Sequence, residues 1–113
     1  MRNETRNTVL GDSICVASSS AARRTGLLKH RGLEQGQGMW IVPCQSVHTF
    51  FMKFAIDLVY LDRSKRVRKV RHTVPAWRIS GCLRAHSVLE LPAGTAMATR
   101  TEPGDRLAVE KLP

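Results

Sequence analysis

The run from Val47 to Leu61, VHTFFMKFAIDLVYL, constrains this chain more than any other stretch. Its even positions Phe50, Met52, Phe54, Ile56, Leu58 and Tyr60 are all apolar, and His48 opens the same parity. Alternate side chains of an extended strand share one face, so an unbroken strand here would carry a continuous hydrophobic stripe. The other parity mixes Thr49, Lys53 and Asp57 with Phe51, Ala55, Val59 and Leu61. A pattern of this kind builds a core and names no reaction. It predicts a strand pair, or one strand with a break between Lys53 and Asp57.

The flanking sequence supplies more short strands. Thr8 to Ala17 reads as a first strand, bent at Gly11-Asp12. Ser18 and Ser19 are placed to cap a short helix over about Ser20 to Leu28, their hydroxyls accepting first-turn N–H groups. Gly32 to Gly38 is a loop, followed by a strand from Met39 to Val42 that Pro43 ends. Asp62 to Ser64 is a turn. Arg66 to Val74 is a basic strand in which Val67 and Val70 break parity, so a bulge is expected. Pro75 to Leu83 is irregular, with Trp77 as a hydrophobic anchor. Ser87 to Leu91 is a strand, and Ala93 to Thr99 gives a helical turn or two. Pro103-Gly104 fits the centre of a type II turn, and Leu107 to Leu112 closes the sheet. About seven short strands separated by turn signals predict a mainly β fold: a compact antiparallel sandwich or barrel with one or two short helices.

Several segments together resemble the DUF192 family. They are Arg24 to Leu28 (RTGLL), Gly38-Met39, His48-Thr49-Phe50-Phe51-Met52, and Ile56-Asp57 with its strand to Leu61-Asp62. Val88-Leu89-Glu90-Leu91-Pro92-Ala93-Gly94 and Pro103-Gly104-Asp105 follow in the family's order. The likeness spans roughly residues 14 to 110. It implies a jelly-roll-like, mostly antiparallel β domain and carries no established biochemical activity. Ala55 stands where that family usually has proline, so any bend before Ile56 must arise without one.

At 113 residues the chain makes one domain (residues 1–113, core about 8–112) that hides roughly two-thirds of its unfolded surface. No stretch approaches the ~20 apolar residues needed to cross a bilayer. Met1 to Thr8 is polar and lacks a secretion signal's apolar run. A cytoplasmic location is expected, or export if a leader has been removed. Three cysteines, Cys15, Cys44 and Cys82, cannot all pair within one chain, which suits a reducing compartment. Cys15 is expected to be a small buried hydrophobe. The formal net charge is +9, and it is concentrated. Arg63, Lys65, Arg66, Arg68, Lys69, Arg71, Arg78 and Arg84 fall in a stretch with no acid between Asp62 and Glu90. A one-sign field attracts polyanions or an acidic protein partner.

Candidate sites compete with plainer roles. His48 at the head of an apolar stripe could be a ligand or proton carrier, but a structural role beside Thr49 is the simpler reading. Asp57 and Glu90 each interrupt a hydrophobic strand. Buried carboxylates are normally paired or hydrogen-bonded, so backbone N–H groups or a cation such as Arg78 are expected partners. A shared pocket and a solvent-facing edge are the alternatives. Cys44-x3-His48 and Cys82-x3-His86 repeat one spacing and contain a zinc donor set, Cys44, His48, Cys82 and His86. Four extended residues span about 13 Å, however, so both pairs would have to lie in turns. A Cys44–His48 nucleophile pair lacks an oxyanion site or orienting group. For nucleic acid, Arg63, Lys65, Arg66, Arg68, Lys69 and Arg71 could track phosphates, but few aromatics lie near them in the sequence to stack on bases. On a strand, such residues also form a solvated face that guards an edge. The reading adopted is a non-enzymatic binding module whose polar locus is His48, Thr49, Asp57, Trp77, Arg78 and Glu90. It assigns no catalytic residue, cofactor or metal. The rival readings are a polyanion-binding domain and a zinc protein.

Overall fold

The structure, a computed structural model, describes residues 1–19 and 31–109. The expected helix at Ser20 to Leu28 and the end of the last strand lie outside the described residues. Ten strands occur among the rest: β1 (Arg2–Asn3), β2 (Thr8–Val9), β3 (Ser13–Ala17), β4 (Gln37–Ile41), β5 (Ser46–His48), β6 (Ile56–Leu61), β7 (Val67–Val74), β8 (Ile79–Gly81), β9 (Ser87–Pro92) and β10 (Leu107–Ala108). One short helix, Thr95–Ala98, follows β9. The fold is mainly β, as the sequence predicts.

The strands form a five-stranded sheet in the order β3-β4-β9-β6-β7, a three-stranded sheet β10-β1-β2, and the two-stranded ribbon β5-β8. Among the described residues the main sheet does not close into a barrel. One pairing departs from the antiparallel expectation: β3 and β4 run parallel. Each face of the main sheet is covered by its own cluster. Ile41, Ile56, Leu58, Tyr60, Val74 and Val88 meet Met52 and Ala85, with Val47, Cys44 and Cys82 of the ribbon region packed on them. On the other face Val59, Leu61, Val67, Leu89 and Leu91 meet Ala96 of the helix and Leu10 and Leu107. The ribbon, the main sheet and the small sheet with its helix therefore stack in sandwich-like layers.

This layering explains why the long run looked mixed in parity. β6 is central and every one of its six residues is buried. The predicted break is real but spans residues 49–55 instead of Lys53 to Asp57: β5 ends at His48 and β6 begins at Ile56, with Asp57 inside the strand. Phe50 and Met52 are consequently not part of a stripe continuous with Leu58 and Tyr60.

The bulge expected in the basic strand is present twice. The β6–β7 register shifts between Ile56 and Leu58 and again between Tyr60 and Leu61. The second shift makes Arg68 the extra residue, which lets Val67 and Val70 both reach the same cluster despite their odd spacing. β7 is an edge of the main sheet. Arg66, Arg68 and His72 are exposed along it, the solvated-edge arrangement weighed from sequence. Cys15 lies on β3, the opposite edge, and is exposed rather than buried. Its edge position leaves it nothing to pack beneath among the described residues.

The terminal strands are joined by a polar network. Asp105 is buried, and its carboxylate accepts hydrogen bonds from Asn3 Nδ2 (3.0 Å), Arg6 Nε (3.1 Å) and the Glu102 amide (3.0 Å). Burial pushes this carboxyl up, but those donors and the Arg6 charge outweigh it and hold it below the usual range. Pro103-Gly104 forms the expected turn: Gly104 has φ 97°, a value that suits glycine at the third turn position.

Candidate functional site

The ribbon places four aromatic rings at one end. β5 and β8 pair with Ser46 opposite Gly81, Val47 opposite Ser80 and His48 opposite Ile79. Val47 packs inward, and Ser80 is buried where its Oγ accepts a hydrogen bond from the Tyr60 hydroxyl at 3.0 Å. Ser46, His48 and Ile79 are exposed and form the outer face. Beyond His48 the chain turns, and the loop before β8 comes alongside. The His48 and Phe50 rings lie 4.9 Å apart, Phe50 stacks on Trp77 at 5.6 Å, and Phe51 meets Trp77 edge-on at 4.7 Å. Offset and edge-on ring pairs at these separations are the favourable arrangements.

Phe51 and Trp77 join His48 in facing water. Phe51 is 69% exposed and Trp77 57% exposed. Trp77 is thus not the hydrophobic anchor expected from sequence. Both residues have a left-handed backbone, each with φ 65°, which bulky side chains rarely adopt. Conformations of this kind cost about 1–3 kcal/mol and persist only where the surroundings over-determine them.

Thr49 supplies that constraint. It is buried, and its amide donates to the Arg78 carbonyl (2.8 Å) while its own carbonyl accepts from the Met52 and Trp77 amides (3.1 Å each). Its hydroxyl donates to the Pro75 carbonyl at 2.6 Å and accepts from the Arg78 amide at 2.8 Å. One residue thereby fixes both loops. Thr49→Val keeps the shape and removes the hydroxyl, leaving two partly buried backbone groups unmet. We expect a loss of about 2 kcal/mol, read as a lower urea midpoint with an altered Trp77 emission. An unchanged midpoint would remove Thr49 from this role.

The six residues of the anticipated polar locus do not all meet. His48, Thr49, Trp77 and Arg78 converge at the ribbon end. Arg78 is exposed, its guanidinium only 3.4 Å and 3.5 Å from the Ala76 and Trp77 carbonyls. Asp57 and Glu90 are elsewhere, and they cannot share a pocket. Asp57 pairs with Leu91 and Leu58 with Glu90, so the two carboxyl groups leave opposite faces of the sheet.

Asp57 fulfils the backbone reading. Its Oδ1 accepts from the Thr73 amide (2.8 Å), and its Oδ2 from the Gly94 (3.1 Å) and Ala96 (2.8 Å) amides. It braces the first bulge of β7 and caps the short helix, whose own N-cap, Gly94, has no side chain to do so. Glu90 contradicts that reading. It is 4% exposed and has no hydrogen-bond or ion-pair partner among the described residues. Burial alone pushes its carboxyl up to about 7.

The zinc arrangement does not assemble. β5 is extended between Cys44 and His48, His48 belongs to the ring cluster, and the Cys44 thiol donates to the Ser46 carbonyl at 3.1 Å. No group of three or more candidate ligands forms among the described residues. Phe50 and Phe51 are the site residues that the sequence reading missed, since both were taken as parts of a strand. Their adjacency was the available signal, because neighbours in an extended strand face opposite ways and cannot both enter one core.

No helix among the described residues is long and apolar enough to cross a membrane. A UPF0127 protein of Pyrococcus horikoshii is 31% identical over 111 residues, covering 93% of this chain and 94% of the relative. A UPF0127 protein of Thermococcus kodakarensis is 27% identical over 112 residues, covering 94% and 70%. A crystal structure of a protein of unknown function from Novosphingobium aromaticivorans superimposes with a TM-score of 0.75 at 20% identity, covering 82% and 71%, a likeness of fold. The family model for DUF192, described as an uncharacterised ACR, matches residues 2–109. The chain belongs to the DUF192 family.

Proposed function

We propose that this protein is a non-enzymatic binding module whose contact surface is the His48–Phe50–Trp77–Phe51 platform, and that its ligand class is single-stranded nucleic acid. The observation that carries the reading is two solvent-facing aromatic rings held on strained backbone by a buried clamp. Exposed apolar rings clustered in one patch mark a surface that a ligand covers. Flat nucleobases stack on such rings irrespective of sequence, and a cationic surround attracts the connecting phosphates. The net charge of +9 supplies a general attraction, and Arg78 stands beside Trp77 without an ion-pair partner among the described residues. The scarcity of aromatics near the basic stretch weighed against nucleic acid in the sequence. Tertiary folding gathers rings from two separate loops into one platform, which supports the reading.

A short homothymidine strand titrated at low salt is expected to quench tryptophan fluorescence with an affinity of roughly 10 µM, weakening as salt rises. Trp77→Ala and Phe51→Gly should each weaken binding about tenfold. Phe51→Gly also relieves the left-handed strain, so its stability is expected to stay within about 1 kcal/mol of the parent. Absence of any signal at ~100 µM protein in low salt would overturn the reading.

A further inference from the structure

We propose that the cleft at the Cys44 end of the ribbon is a separate phosphate-binding site. It has a volume of about 870 Å³ and is walled by Cys44, Asp62, Arg63, Ser64, Arg84 and His86. Arg63 and Arg84 lie 21 positions apart in sequence and are brought together by two backbone bonds. The His86 amide donates to the Leu61 carbonyl at 2.7 Å, and the Cys44 amide to the His86 carbonyl at 2.8 Å.

Three cations of the basic stretch are already engaged. Arg68 pairs with Asp62 at 2.9 Å, Arg66 donates to the Gly104 carbonyl at 2.9 Å, and Lys69 to the Gly81 carbonyl at 2.7 Å. These cations are committed. Arg63 and Arg84 are exposed and bond to no acceptor among the described residues. Among the described residues Asp62 is the one acid on the cleft wall, and its oxygens are taken. Oδ1 accepts from the Ser64 amide (2.9 Å), the Ser64 hydroxyl (2.7 Å) and the Arg66 amide (3.0 Å), and Oδ2 from Arg68. The cleft is left with two uncommitted guanidiniums. Their planar forks match the oxygens of a phosphate group and bind them bidentately.

That phosphate could be free or part of a strand. β5 is three residues long, so the cleft lies roughly 10 Å from the aromatic platform along the exposed ribbon face. Inorganic pyrophosphate followed by amide NMR shifts tests the site directly. Saturable shifts at Arg63, Ser64, Arg84 and His86 are expected at millimolar concentration, weakened at least tenfold in an Arg63→Gln, Arg84→Gln double variant and unchanged in Trp77→Ala. Both arginines are exposed, so the variant should fold. If the same double variant also weakens homothymidine binding, the phosphate belongs to a strand; if it does not, the site serves a free phosphorylated molecule. No saturable shift at ~20 mM pyrophosphate, or equal binding by the double variant, would overturn the proposal whatever the platform does.

Discussion

Asp57→Ala is expected to destabilise the protein by about 4 kcal/mol or more. Each of the three amides it serves would lose its acceptor in a site where Asp57 itself has no solvent exposure. Stranding a buried donor costs about 1–3 kcal/mol, and a typical domain has only 5–15 in total. The loss should be visible as a large fall in melting temperature or as insoluble expression. Asp57→Asn provides the graded control, since its single oxygen can keep one side of the arrangement, either Thr73 or the helix start. The expected order is parent, then Asn, then Ala. A parent-like melting temperature for the alanine variant would mean that water replaces all three bonds, and the bracing role would fall.

Glu90 should behave in the opposite sense. Its carboxyl titrates near 4.5 when unperturbed and at about 7 in the fold, because burial disfavours the charge. Below pH 4.5 the folded and unfolded forms are both protonated and no penalty exists. Between 4.5 and 7 the folded form keeps a proton that the unfolded chain has released, so stability falls as pH rises. Above 7 both forms are ionised and the full cost remains, roughly 3 kcal/mol for a shift of this size. Glu90→Gln should therefore match the parent near pH 4.5 and exceed its stability by up to about 3 kcal/mol at pH 8. Asp62, held at about 2 by its donors against the upward push of burial, and Asp105, also lowered, act in the other direction. Their contributions are present above the ordinary carboxylate range and are lost as pH falls through their lowered values, so they do not obscure this window. Denaturant midpoints for both proteins across pH 4–8 decide the matter; parallel curves would sink it.

What the sequence disclosed follows from what is local. Strand positions, the turn at Asp62, the Pro103-Gly104 turn and a bulge in the basic strand were legible because each depends on a few neighbouring residues. The burial of Asp57 and Glu90 was legible as well, since each interrupts an apolar segment. Their partners were not. Asp57 finds Thr73, Gly94 and Ala96 at separations of 16 to 39 residues, while Glu90 finds none among the described residues. The parallel β3–β4 pair was invisible because hydrophobic alternation carries no strand direction. Three rings of the platform, His48, Phe50 and Phe51, sit close together in sequence, but the fourth, Trp77, comes from a separate loop that Thr49 holds alongside. Four of the six anticipated residues, His48, Thr49, Trp77 and Arg78, lie together in the fold, and the rings of Phe50, Phe51 and Trp77 were read as interior.

The doubly bulged outer strand β7 has a bearing on how molecules of this protein meet. A foreign strand docking there would need an even row of main-chain donors and acceptors, and each shift in register interrupts that row. Ladder-type growth from that flank is thereby blocked. Self-association on this side is left to side chains, and a crowd of like-charged arginines and lysines makes neighbours repel.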